Sequence, residues 1–253
     1  MPTLRRWTVV IAGGLVMVGA CNKRAADTGA VSSTSDRGTT VAPPSETVAR
    51  REKALVRVVN ALPSGKINIF AGDSEAFSGI GYRTVTPFKQ MPDDFFGFKV
   101  VRPGGTSKDP IAENREKLGT GGHYTIVAMP DEGKDGKANL RVLDDDLKPM
   151  TDGKARIRVI HGVANAPDVS VYERGVKEAI FDGITFKKEA GWQEIDPFTG
   201  ALDIRPQGKH NLLASVRHMK LQAGRSYTFV IAGTPSKLDV IKIEDIVAPA
   251  ASQ

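Results

Sequence analysis

The sequence predicts an all-β chain built as two tandem β-sandwich domains, and three observations carry that prediction. The first is a stretch that occurs twice. It runs A-R-I-R-V-I-H-G-V-A-N-A-P-D-V-S-V-Y from Ala155 to Tyr172 and, blurred, A-L-V-R-V-V-N-A-L-P-S-G-K-I-N-I-F from Ala54 to Phe70. In both copies apolar residues alternate with polar ones, Val56 and Val58 around Arg57, Ile157 and Val159 around Arg158. A Pro/Gly/Asn turn and a second alternation follow, which is a hairpin signal. The second observation is that the echo continues, with V-R-P-G-G (Val101 to Gly105) answered by I-R-P-Q-G (Ile204 to Gly208) and L-G-T-G-G-H-Y-T-I-V by L-Q-A-G-R-S-Y-T-F-V. Matched residues stay near a hundred apart, Tyr124 and Tyr227 by 103. That is far longer than a solenoid repeat and about the size of one small domain. The third is that strand-like runs separated by Gly, Pro and Asn turns dominate, with little helical periodicity.

Residues 1–21 have a short basic start (Arg5, Arg6), an apolar run from Trp7 to Val18 and then Val18-Gly19-Ala20-Cys21. The run is too short to span a bilayer comfortably and has the layout of a signal peptide. The V-G-A-C ending resembles the lipobox of bacterial lipoproteins, in which the cysteine thiol receives a diacylglyceryl group and becomes the first mature residue. Cys21 is the one cysteine of the chain, so no intramolecular disulfide competes for it. The resemblance implies an envelope lipoprotein held to a membrane by Cys21, and Asn22 after it resembles sorting to the outer membrane. Residues 22–53, rich in Ala, Ser, Thr, Gly and Pro, read as a flexible, disordered tether.

The formal charge of +6 does not point to nucleic acid, because of where it lies. Arg5 and Arg6 belong to the leader, and Lys23 to Lys53 holds six basic against four acidic residues, so the folded part is only about +2.

The first domain is expected over 54–147, with strands at Leu55–Asn60, Ile67–Ala71, Phe95–Arg102, Tyr124–Met129 and Asn139–Leu143. The second is expected over 154–248, with strands at Arg156–His161, Val169–Tyr172, Ala201–Arg205, Tyr227–Ala232 and Leu238–Ile243. Asp109-Pro110 to Leu118 has the N-cap, N1 proline and glycine stop of a short helix, whereas its counterpart, Asn211 to Leu221, reads as strand. Leu118-x-x-Gly121-x-x-Tyr124 and Leu221-x-x-Gly224-x-x-Tyr227 resemble the tyrosine corner of immunoglobulin-like sandwiches, where the hydroxyl bonds back to upstream backbone. That narrows the expectation to immunoglobulin-like sandwiches, with Tyr124 and Tyr227 as equivalent structural tyrosines.

The search for chemistry yields one polar pair. His161 closes the repeated strand and Asp168 lies across the turn, an arrangement that could serve as a base with its orienting carboxylate in an envelope hydrolase. The first copy has Asn60 and Lys66 at those places, so the pair is no property of the shared fold, and the bland reading of a strand-end histidine with a turn aspartate is preferred. His123, His161, His210 and His218 form no zinc spacing. No nucleophile elbow is present, and Gly119 to Gly122 precede a strand rather than the helix a phosphate loop needs. Asp144, Asp145, Asp146 and Asp152 in the inter-domain segment could ligate calcium. Lys148 and Pro149 stand where ligands and glycine would be required, so the segment is read as a solvated acidic turn. Trp192, matched by Phe88, could form a sugar platform or an inter-sheet aromatic, and the latter is preferred. No metal or cofactor is expected.

Finally, I-R-V-I-H-G-V-A-N-A-P-D-V-S-V-Y resembles V-R-V-x-H-A-S-P-D-A-P-x-V-D-V-Y, the signature of bacterial domain-of-unknown-function family 4397, with Val163-Ala164-Asn165 in place of Ser-Pro-Asp. The resemblance implies tandem domains on an exported lipoprotein and implies no chemistry. The expectation is therefore a non-catalytic binding or structural module for a protein or glycan ligand, with hydrolysis through His161 and Asp168 as the alternative.

Overall fold

The computed structural model describes residues 53–63, 65–133, 136–145 and 147–247. The leader, Cys21 and the tether lie outside the described residues, apart from Lys53. Every regular element among the described residues is a strand. The first eight are β1 (Lys53–Asn60), β2 (Ile67–Ala71), β3 (Ser74–Ile80), β4 (Lys89–Pro92), β5 (Phe95–Val101), β6 (Ala112–Lys117), β7 (His123–Pro130) and β8 (Ala138–Asp144). They form two four-stranded sheets ordered β4-β1-β7-β8 and β3-β2-β5-β6. The second eight are β9 (Ala155–His161), β10 (Val169–Glu173), β11 (Ala179–Ile184), β12 (Glu189–Ile195), β13 (Thr199–Pro206), β14 (Ala214–Lys220), β15 (Arg225–Thr234) and β16 (Lys237–Ile246). Their sheets, β12-β9-β15-β16 and β11-β10-β13-β14, repeat the same order eight strands later. The duplication is thus complete at the level of topology.

Each copy is a sandwich. Val56, Val58, Ile126 and Leu140 of one sheet meet Ile67, Ile69, Phe98 and Val100 of the other in the first core. Ile157, Val159, Phe229 and Ile231 meet Val169, Val171, Leu202 and Ile204 in the second. The period-two alternation puts these residues on one face because successive side chains of a strand point to opposite sides. The strand order is the molecule's own. A constant-type immunoglobulin domain has seven strands, whereas here each sandwich has eight, and β1 and β9 pair in parallel with β7 and β15.

The expected helix from Asp109 to Leu118 is instead β6, whose residues alternate between half-buried and exposed. Helix propensity in A-E-N-R-E-K loses to the ladder offered by β5, which pairs with β6 from Phe95↔Lys117 to Val100↔Ala112. Strands β3, β4, β11 and β12 escape a period-two reading because they are edge strands, and three of them carry register slips.

The tyrosine motifs occupy equivalent places. The Tyr124 hydroxyl accepts from the Gly119 N–H at 2.8 Å, and the Tyr227 hydroxyl accepts from the Gln222 N–H at 3.0 Å and donates to the Lys220 carbonyl at 3.4 Å. The motif glycines Gly121 and Gly224 have φ of 70° and 71°, a conformation costly to other residues. Tyr227→Phe is expected to lower stability by about 1 kcal/mol or somewhat more through the lost buried hydrogen bonds, measured as a shift in denaturation midpoint.

A third apolar cluster joins the two sandwiches. Val59, Val127, Met129 and Leu143 on the outer face of the β4-β1-β7-β8 sheet pack against Ile160, Val230, Ala232, Ile241 and Ile243 on that of the β12-β9-β15-β16 sheet. The central strands β1, β7, β9 and β15 are therefore buried on both faces.

Candidate functional site

The inter-sandwich layer gathers a cluster of buried charged residues. Arg57 on β1 and Arg158 on β9 occupy equivalent positions, each beside a threonine of the parallel neighbour strand: Arg57↔Thr125 and Arg158↔Thr228. The Arg57 Nε donates to Thr125 Oγ1 at 2.8 Å and the Arg158 Nε to Thr228 Oγ1 at 2.9 Å. One aromatic face covers each guanidinium, Phe88 at 4.4 Å from Arg57 and Trp192 at 4.2 Å from Arg158, a cation–π arrangement.

The carboxylates are exchanged between the sandwiches. Asp145 and Asp245 are equivalent, each one residue beyond the partner of a corner tyrosine, Tyr124↔Asp144 and Tyr227↔Glu244. Arg57 donates in a fork to Asp245 of the second sandwich, at 2.8 and 2.7 Å. Arg158 donates to Asp145 at the end of the first. Asp145 also accepts from Arg57 at 3.0 Å and from the Thr125 hydroxyl at 2.6 Å. Arg158 further donates to Glu189 at 3.1 Å and to the Asp144 carbonyl at 3.0 Å. The side chain of Arg158 is 0 % exposed and that of Asp145 is 1 %. Such a cluster is stable only because every charge is paired and hydrogen-bonded.

The rim repeats the reciprocity. Arg83 and Lys187, both with positive φ (63° and 65°), follow β3 and β11 and reach across to Asp239 at 3.6 Å and Asp131 at 2.5 Å. Tyr82 donates to Asp239 at 3.1 Å. Burial, and then the neighbouring Asp239 carboxylate, push the Tyr82 phenol up to about 12, so it stays a donor.

His161 and Asp168 are not joined by a hydrogen bond. His161 is fully buried, with Nε2 3.1 Å from the Pro167 carbonyl and Nδ1 accepting from the Val163 N–H at 3.3 Å. Both ring nitrogens are spent on backbone, which fixes the tautomer with the proton on Nε2. Asn60 does the same work in the first copy, its Oδ1 accepting from the Leu62 N–H at 2.9 Å and its Nδ2 donating to the Gly65 and Ile80 carbonyls at 2.9 Å each. The two residues staple the same turn with different chemistry. Burial, partly opposed by the Pro167 hydrogen bond and the Asp168 charge, holds the His161 pKa below its ordinary 6.5. The unfolded chain therefore takes up a proton that the folded chain refuses. Stability should be intact above about pH 6.5 and decline as pH falls through that value. His161→Asn should remove this part of the decline, read as denaturation midpoint against pH.

One sequence expectation is overturned by the burial of Asp145. Asp145 is buried between two arginines rather than solvated in a turn, while Asp144 and Asp152 are exposed and Asp146 lies outside the described residues. Trp192 is half-buried with one face covered by Arg158, in keeping with the inter-sheet reading preferred for it. No cluster of three or more potential metal ligands exists among the described residues.

Residues 54–172 match the family model described as Domain of unknown function (DUF4397), a span that covers the first sandwich and, in the second, β9 and β10 as far as Tyr172. No curated protein matches the chain. Among solved structures, the chain is similar to a candidate cell adhesion protein from Bacteroides ovatus ATCC 8483, at 8 % identity and a TM-score of 0.24, covering 79 % of this chain and 99 % of that one. It is likewise similar to one from Bacteroides eggerthii DSM 20697, again at 8 % and 0.24, covering 77 % and 96 %.

Proposed function

We propose that the chain is a cell-envelope lipoprotein, anchored through Cys21, whose paired sandwiches act as a non-catalytic binding or structural module. The observation that carries this reading is the use to which the buried polar groups are put. Arg57, Arg158, Asp145 and Asp245 lock one sandwich to the other, and His161 closes a turn as Asn60 does, so these groups hold a shape and leave the outer loops and sheets to meet a ligand. The lipobox-like V-G-A-C and the tether after it support placement at a membrane, most simply the outer membrane, with the sandwiches standing clear of the headgroups.

The test is capture by the immobilised full chain in detergent from an envelope extract, with retained protein and glycan followed over time. A component retained intact and in fixed proportion to the chain is the expected result. A component that is cleaved and released instead would contradict a non-catalytic module and favour the hydrolase reading.

A further inference from the structure

We infer that the second sandwich carries a binding site for a carboxylate-bearing saccharide, a hexuronate, in a cleft of about 410 Å³ formed by β10, β13 and β14. This rests on the binding-module reading and assigns it a place and a ligand class. The volume lies in the range of ligand pockets.

The cleft is formed where the second copy departs from the first. In the first sandwich β5 and β6 pair without interruption, and Gly97 faces Arg115 alone. In the second, Gly200 pairs with Met219 and Leu202 with Val216, so Ala201 faces two residues, Arg217 and His218. One extra residue has entered β14, and it makes a β-bulge in which His218 takes a φ of 54°. Bulges re-aim side chains, and they gather beside functional sites. The neighbouring turn is longer too. Gly72 and Asp73 join β2 to β3, whereas Arg174 to Glu178 join β10 to β11. A third change clears the floor: counted from the matched pairs Phe95↔Lys117 and Thr199↔Lys220, Gly200 stands where the first copy has Phe96.

All but one of the polar side chains on the walls are uncommitted. Arg174 is tied to Asp203 at 2.6 Å and to Ser215 at 2.8 Å. Glu173, Thr199, Arg217 and His218 all line the cleft, and their side chains make no hydrogen bond or ion pair among the described residues. A free guanidinium fork matches one carboxylate. Glu173 accepts from sugar hydroxyls and opposes the denser charge of a phosphate or sulfate. The Thr199 hydroxyl can donate or accept. Gly200 and Ala201 leave a strand surface low enough for a pyranose ring to lie against.

The experiment is titration calorimetry of the full chain in detergent with three probes: a galacturonic-acid trisaccharide, the neutral galactose trisaccharide and acetate. Saturable binding of the acidic trisaccharide is expected, with the other two weaker by about tenfold or more. Arg217→Ala should weaken binding by about tenfold or more. Gly200→Phe should abolish it; a Cβ there meets nothing nearer than Phe198 at 3.7 Å, and an unchanged denaturation midpoint checks that the variant folds. Absence of saturable binding overturns the inference, as does acetate binding as tightly as the trisaccharide, or indifference to both substitutions. Envelope capture with the same preparation separates the two levels. A retained envelope component without hexuronate binding removes the ligand assignment alone, whereas loss of both removes the binding-module reading.

Discussion

Asp145→Ala is expected to lower the stability of the chain by about 3 kcal/mol, the cost of leaving buried donors of two guanidinium groups and a hydroxyl without an acceptor. Among the described residues Asp145 is the one carboxylate that touches both arginines, and it accepts from Thr125 as well. Arg57 keeps Asp245 after the change, and Arg158 keeps Glu189, whose side chain is 25 % exposed. Arg158 is therefore the group left in deficit, fully buried and with its strongest acceptor gone. The measurement is the denaturation midpoint of the wild-type and substituted chains. Asp145→Asn should cost less, because an amide oxygen can still accept. A loss below about 1 kcal/mol, typical of an exposed pair, would show that the cluster does not hold the two sandwiches together.

Cys21→Ala is expected to move the chain out of the membrane fraction, as a soluble or an uncleaved precursor. Acyl chains contribute about 0.8 kcal/mol per buried methylene, and stable anchoring takes two membrane-binding signals such as two acyl chains. The folded part, at about +2, carries too little charge to replace them. Fractionation followed by immunoblotting reads the outcome, and an unchanged membrane share after the substitution would rule out anchoring through this residue.

The parts of the fold legible in the sequence are those where one physical signal acts alone. β1, β9, β7 and β15 bury large alternating apolar residues, so period two stands out. The edge strands β3, β4, β11 and β12 have no such signal, and in β6 the composition A-E-N-R-E-K argues for a helix that only the neighbouring strand β5 overrules. The inter-sandwich cluster was visible in a different form. Arg57 and Arg158, Thr125 and Thr228, Phe88 and Trp192, Asp145 and Asp245 are matched across the repeat, and matched polar residues mark a shared task. Alternation alone assigns the arginines to solvent, because it cannot tell that a second sandwich covers the outer face. The apolar residues Val59, Val127 and Ile160, interleaved with the core positions, are the sign of strands covered on both faces. The roles of His161 and Asn60 were obscured for another reason. An imidazole nitrogen and an amide oxygen accept the same backbone N–H, so the copies look divergent where they act alike. The bulge at Arg217 and His218 is a single inserted residue, visible only once strand registers are compared.

The reciprocal arginine–carboxylate layer makes one mechanical body of the two sandwiches. The most direct test is denaturant unfolding of the full chain followed by two probes, the fluorescence of Trp192, which reports the second sandwich, and far-UV circular dichroism, which reports both. In the proposed lipoprotein, cleavage before Cys21 removes Trp7 with the leader, so the mature chain has one tryptophan. Coincident single transitions in the wild-type chain, splitting into two steps in Asp145→Ala, are predicted. Two separate steps in the wild-type chain, with Trp192 following only one of them, would contradict it.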